Sequence, residues 1–176
     1  MTSMTGHPRP MISFHAEQQN IQTALRETLA ELRRAGREVD LPVPVRKALA
    51  YIHEHLFEET LDVAAVCRHC GLNNHNISSR FKRHVGLGMR RYIERGRLEA
   101  AKRLLHHPEL SILQIAWAVG YAYPESFARA FKRYTGCTAT TYRARLLRRN
   151  GKTTRDATLQ QTAYPAGRTY PPPGKL

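Results

Sequence analysis

The sequence predicts an all-α fold: two helix-turn-helix subdomains joined by a long connecting helix, about seven helices, plus one extra helix at the N-terminus. Three observations predict it. First, apolar residues recur at spacings of three and four through most of the chain, the period of helices with one buried face. Second, the chain repeats itself. FKRHVG at 81–86 returns as FKRYTG at 131–136, and the short stretches ahead of these match at an offset of 49: Val63 with Ile112, Val66 with Ile115, Cys67 with Ala116, Gly71 with Gly120. Third, positive charge is concentrated where the repeat lies. The 176 residues carry a net charge of +14; residues 43–150 hold nineteen Lys and Arg against eight acids, while residues 1–42 hold five of each.

Residues 1–15 carry Gly6, Pro8 and Pro10 and are expected to be disordered. A helix is expected at 16–35, with Ile21, Leu25, Leu29 and Leu32 along one narrow stripe and Arg33, Arg34 and Gly36 at its end. Such a stripe either docks on the main domain or pairs with a partner, including a second copy of the chain. Because residues 1–42 carry no net charge, they are expected to be dispensable for binding a polyanion. Pro42 and Pro44 open the next helix, Val45 to Phe57, which buries Leu49, Ile52 and Leu56; His53 and His55 are expected at its surface.

The first helix-turn-helix spans 61–86. Leu61 to Cys70 is a short helix ended by Gly71, and Asn73 or Asn74 is suited to cap the next one, about His75 to His84, which buries Ile77 and Phe81. The connecting helix spans 88–107, with Tyr92, Ile93, Gly96, Ala100, Ala101, Leu104 and Leu105 on one face and Arg90, Arg91, Glu94, Arg95 and Lys102 on the other. At about 28 Å it approaches the ~34 Å between successive major-groove openings of B-DNA. The second helix-turn-helix spans 111–136. Ile112, Ile115, Ala116 and Val119 form the inner face of its first helix; Gly120 and a turn follow, and Pro124 opens the second helix, where its fixed φ costs nothing. Phe127, Ala130, Phe131 and Tyr134 make that helix's inward stripe. A last helix is expected from Thr138 to Arg149, and a disordered tail over 150–176.

The stretches IAWAVGY and SFARAFKRYTG in the second copy, YIERGRLEAAKRLL in the connector, and the first copy ahead of them resemble the DNA-binding domain of the AraC/XylS family of bacterial transcription regulators. The resemblance covers about Val43 to Arg149, here taken as residues 43–149. It implies double-stranded promoter DNA as the partner, two recognition helices reading adjacent major grooves, activation more often than repression, and contact with RNA polymerase. Three departures stand out. Ser79 occupies the place of a customary Arg that Arg129 keeps in the second copy. Arg80 occupies an inward place that Ala130 fills there, and Met89 replaces a common proline. Only residues 1–42 precede the domain, so the chain resembles the short, stand-alone members.

Phosphate contacts position a protein on the duplex, and base-edge contacts select sequence. The base-edge candidates are His75, Ser78, Ser79 and Arg80 in the first copy, and Glu125, Ser126 and Arg129 in the second. Arg forks onto guanine and Glu accepts from cytosine. The phosphate candidates are Lys82, Arg83, Arg91, Arg95, Lys132 and Arg133. Helix N-termini near Leu61 and Ser111 are further candidates.

Other chemistries find less support. Cys67, His69, Cys70 and His75 make a set that zinc accepts, but Cys67 and Cys70 fall at core positions, so no metal or other cofactor is expected. No nucleophile stands beside an oriented base, so no catalytic residues and no enzymatic activity are expected. Three cysteines and the lack of an apolar leader point to a reducing cytoplasm, at the bacterial nucleoid, with no membrane partner. The alternative to a sequence-specific regulator is a low-specificity architectural DNA-binding protein using the same basic surface.

Overall fold

The computed structural model describes residues 11–37, 40–71 and 74–149, all discussed below; the N-terminal residues 1–10, Asn73 as a cap and the tail 150–176 lie outside them. The described residues form eight helices and no strand. They are α1 (Met11–Arg37), α2 (Val43–His55), α3 (Val63–Cys70), α4 (Asn74–Val85), α5 (Met89–Leu104), α6 (Ile112–Ala118), α7 (Pro124–Thr135) and α8 (139–149).

Two cores share one spine. Val45, Ala48, Leu49 and Ile52 of α2, Val66 and Cys67 of α3, and Ile77 and Phe81 of α4 pack on Met89 and Ile93 of α5. The second core places Ile115 and Ala116 of α6 and Phe127, Ala130 and Phe131 of α7 against Leu98, Ala101 and Leu104, further along α5. Phe81, Phe127 and Phe131 are all but sealed from solvent, each burial contributing on the order of 2 kcal/mol. The spine is shorter than the sequence suggested. It runs 16 residues, Met89–Leu104, about 24 Å, because Leu105 closes the last turn and the chain then turns through 105–109.

Local signals account for the helix ends. Asp62 caps α3, its Oδ1 accepting from the Ala65 N–H at 2.6 Å. Ser111 and Gln114 form a reciprocal capping box at α6, which satisfies two otherwise orphaned donors. The Thr138 hydroxyl accepts from the Thr141 N–H at the start of α8. These caps occupy the Ala65 N–H at the start of α3 and the Ser111 and Gln114 N–H groups at the start of α6.

α1 differs most from expectation. It begins at Met11, so residues 11–15 are helical rather than disordered. Its stripe docks on the domain: Ile21, Ala24 and Leu25 pack on the second core, Leu29 and Leu32 on the first. Polar ties run the same length. Gln114 Nε2 donates to Glu17 at 3.3 Å, Asn20 Nδ2 donates to Glu109 at 2.9 Å, and Arg103 of α5 pairs with Glu27 and Glu31. The stripe therefore faces α5 and packs with the folded body.

His53 is a second correction. It is buried rather than at the surface, its Nε2 hydrogen-bonded to the Tyr92 hydroxyl at 2.7 Å. The helix face carrying Leu49 and Ile52 is wider than the aliphatic residues alone indicate. Tyr134 is the converse: it is 41% exposed, because its hydroxyl reaches Glu99 at 2.6 Å instead of turning inward.

Candidate nucleic-acid interface

Each recognition helix exposes a polar strip because its apolar residues are committed inward. In α4, Ile77 and Phe81 are buried; Ser78 is half-buried and Ser79, Arg80, Lys82 and Arg83 are exposed. Arg80 thus stands in solvent where Ala130, its counterpart, is buried. The backbone of His75 lies in the first turn of α4, and its side chain is outside the described residues. In α7, Phe127, Ala130 and Phe131 are buried; Ser126 is half-buried and Glu125, Arg129, Lys132 and Arg133 are exposed.

The side chains of Arg80, Lys82, Arg83, Arg129 and Lys132 make no hydrogen bond or ion pair with any described residue. Their donors are available to an external anion. Arg133 is committed differently, its guanidinium paired with Glu94 of α5 while its side chain stays 70% exposed. Beside this pair a cleft of about 420 Å³ opens between α5 and α7, lined by Leu87, Arg91, Glu94, Arg95, Ala130 and Arg133. Two phosphate candidates on α5 and one on α7 therefore border one concavity. Behind it, burial pushes the Glu99 carboxyl up, but hydrogen bonds from Tyr134 and Lys102 outweigh this and hold it below the usual range.

The residue that ties the two halves together is not among the sequence candidates. Arg97 of α5 is buried. Its Nε donates to the Leu56 carbonyl at 2.8 Å and its Nη2 to the Glu58 carbonyl at 2.5 Å, both just past α2. Its guanidinium also lies 5.8 Å from the centre of the Tyr121 ring, in the turn of the second helix-turn-helix, within cation–π range. Gly120 completes the joint. It has φ of +85°, and a Cβ there would stand 2.8 Å from the Phe57 carbonyl oxygen. The spacing Ile93, Arg97, Ala101 is the signal that was available: an arginine inside a buried i, i+4, i+8 stripe has to be paired internally.

The thiols carry no comparable signal. Burial pushes both Cys67 and Cys70 up, away from the thiolate form. No three His, Cys, Asp or Glu among the described residues come together as a metal set. No helix among them is long and apolar enough to cross a membrane.

Known proteins share this arrangement. Residues 66–145 match a family model described as a helix-turn-helix domain. The arabinose operon regulatory protein of Escherichia coli K12 is 32% identical over 100 residues, covering 57% of this chain and 34% of that protein. The C-terminal domain of AraT, a response regulator from Geobacillus stearothermophilus, superposes with a TM-score of 0.57 at 30% identity, covering 60% of this chain and 88% of that one. The chain belongs to the AraC family of helix-turn-helix transcription regulators. A further solved neighbour is the DNA-binding domain of AdpA, a global transcriptional factor, in complex with a target DNA, with a TM-score of 0.56 at 25% identity over 60% of this chain and 95% of that one. The chain spans between 13% and 36% of the length of curated relatives it matches, about a third for the arabinose operon regulatory proteins. The matched region runs through both helix-turn-helices and the spine, so the AraC-type domain is where the two free basic strips lie.

Proposed function

We propose that the protein is a sequence-specific regulator that places α4 and α7 in successive major grooves of one promoter duplex, acting in the cytoplasm at the nucleoid. The observation that carries this is the pair of recognition helices, each with an outward strip of unpaired basic side chains, fixed to one spine. Ser78, Ser79 and Arg80 on α4, with His75, and Glu125, Ser126 and Arg129 on α7 are the base-reading groups. Lys82, Arg83, Lys132, Arg91, Arg95 and Arg133 hold phosphates, Arg133 exchanging Glu94 for the backbone. The likeness to the AdpA domain, solved in complex with a target DNA, supports this reading.

Competition separates this from an architectural role on the same basic surface. A regulator prefers its own promoter over random DNA by ~10³ or more at physiological salt. Equal competition by random DNA would contradict sequence-specific regulation.

Activation through contact with RNA polymerase is the proposed mode. Leu113 and Trp117 stand one turn apart on α6, 41% and 55% exposed. They form an apolar surface on the second helix-turn-helix that the fold itself leaves uncovered. Trp117→Ala is expected to abolish promoter activation while leaving DNA affinity unchanged; unaltered transcription would remove this surface from the account.

A further inference from the structure

A cavity of about 230 Å³ lies where α1 meets the first helix-turn-helix. Its walls are apolar, with Leu32 of α1, Leu41, Leu49 of α2 and Val85 at the end of α4. One cationic side chain, Arg95, and the imidazole of His84 complete the polar lining, and no described lining residue is acidic. Both are exposed and make no hydrogen bond or ion pair with a described residue. The Tyr92 ring forms part of the wall, but its hydroxyl is already committed to His53. Arg95 is therefore the one permanently charged side chain among the described lining residues.

Size and charge together define an occupant. Cavities of about 150 Å³ accept benzene, so this one holds a ring-sized apolar body with room for one polar group. An apolar pocket with a single charged anchor fixes a ligand's orientation through that anchor, and guanidinium matches carboxylate in a forked geometry. We propose that this cavity binds a small monocarboxylate with an apolar body of about six to eight carbons, its carboxylate held by Arg95 and its body against Leu49 and Val85.

Arg95 also borders the α5–α7 cleft, where the proposed function gives it a phosphate. A bound acid takes the guanidinium a phosphate would use, and the site then lowers affinity for DNA. This consequence rests on the proposed function; the binding does not.

The test is a titration of the full chain with cyclohexanecarboxylate, without DNA, read by methyl NMR shifts and by thermal stability. Saturable binding is expected, with cyclohexanecarboxamide about tenfold weaker, the value of one charge-assisted contact, and with acetate giving no saturable shift. Ala35→Trp, at the rim of the cavity, is expected to block the acid, and Arg95→Gln to bring the acid down to the level of the amide. Equal binding of acid and amide, or binding that survives both substitutions, would overturn the site. A parallel titration with promoter DNA present reads the coupling. A several-fold weaker apparent DNA affinity at saturating acid supports the shared use of Arg95, and an unchanged affinity refutes it. Failure of specific DNA binding altogether would sink the proposed function and leave the acid titration standing.

Discussion

Position 79 on α4 and position 129 on α7 occupy equivalent places in the two copies, yet one is serine and the other arginine, both exposed. On the proposed function, the stronger base contact belongs to α7. Arg129→Ala is expected to weaken specific binding by about 1–3 kcal/mol and to relax one base position, whereas Lys132→Ala weakens all sequences alike and lowers the salt slope by about one. Binding to specific and random duplexes over a salt series reads both effects, and equal losses for Arg129→Ala would reassign that residue to phosphate. Buried residues carry a separate expectation. Burial, then the nearby Arg33, lowers the His53 pKa to about 4 from 6.5. The unfolded chain thus takes up this proton first as pH falls, so the native state loses stability between pH 6.5 and 4. Denaturation midpoints at pH 7 and pH 5 are expected to differ more for the native sequence than for His53→Gln; identical pH slopes would remove His53 as the cause. Residue chemistry of the outer strips was legible from helical periodicity. The burial of His53 was not, since its partner Tyr92 lies 39 positions away and nothing local announces a hydrogen bond of that range.

Among the elements, the turns of the two helix-turn-helices form a matched pair. Gly71 and Gly120 both have positive φ, +61° and +85°, but a Cβ on Gly71 meets nothing within 4 Å while one on Gly120 strikes the Phe57 carbonyl. Gly71→Ala is expected to cost only the left-handed strain, about 1–2 kcal/mol, and Gly120→Ala clearly more, measured by denaturant unfolding. Equal costs would show that the second turn is not pressed against the α2–α3 loop. The repeat in the sequence identified both glycines, but not the difference between them, because Phe57 belongs to the other half. α1 makes the same point at larger size. Its stripe was visible, but the helix runs 27 residues, Met11–Arg37, and outruns the expected 16–35 at both ends, and charge neutrality said nothing of packing. With Ala24 and Thr28 buried and Arg103 paired to Glu27 and Glu31, removal of residues 1–40 is expected to lower the melting temperature and to weaken DNA binding through loss of order rather than loss of charge. A truncated chain as stable as the full one would make α1 an appendage after all.

At the scale of the molecule, one spine and one joint decide what the surface can do. α5 contributes to both cores, and Arg97 ties the end of α2 to the turn ahead of α7. The two recognition helices are therefore presented as a fixed pair rather than as beads on a linker. The duplicated FKR-x-x-G segments and the basic middle block made two DNA-reading units legible from the sequence. Their mutual fixation was not, because it depends on an arginine whose partners are backbone carbonyls. The buried i, i+4, i+8 stripe marks Arg97 as internally paired, but nothing in the side-chain pattern names those carbonyls. Fixation has a direct consequence for the DNA site: two half-sites at one spacing, with little tolerance for insertions between them.

Selection of binding sites from a randomised duplex pool, with the full chain, tests this most directly. The account expects an enriched asymmetric site made of two blocks whose centres lie about one helical turn, 10–10.5 base pairs, apart, with insertion of five base pairs between them abolishing specific binding. Enrichment of a single block, tolerance of the insertion, or no enrichment at all would contradict it.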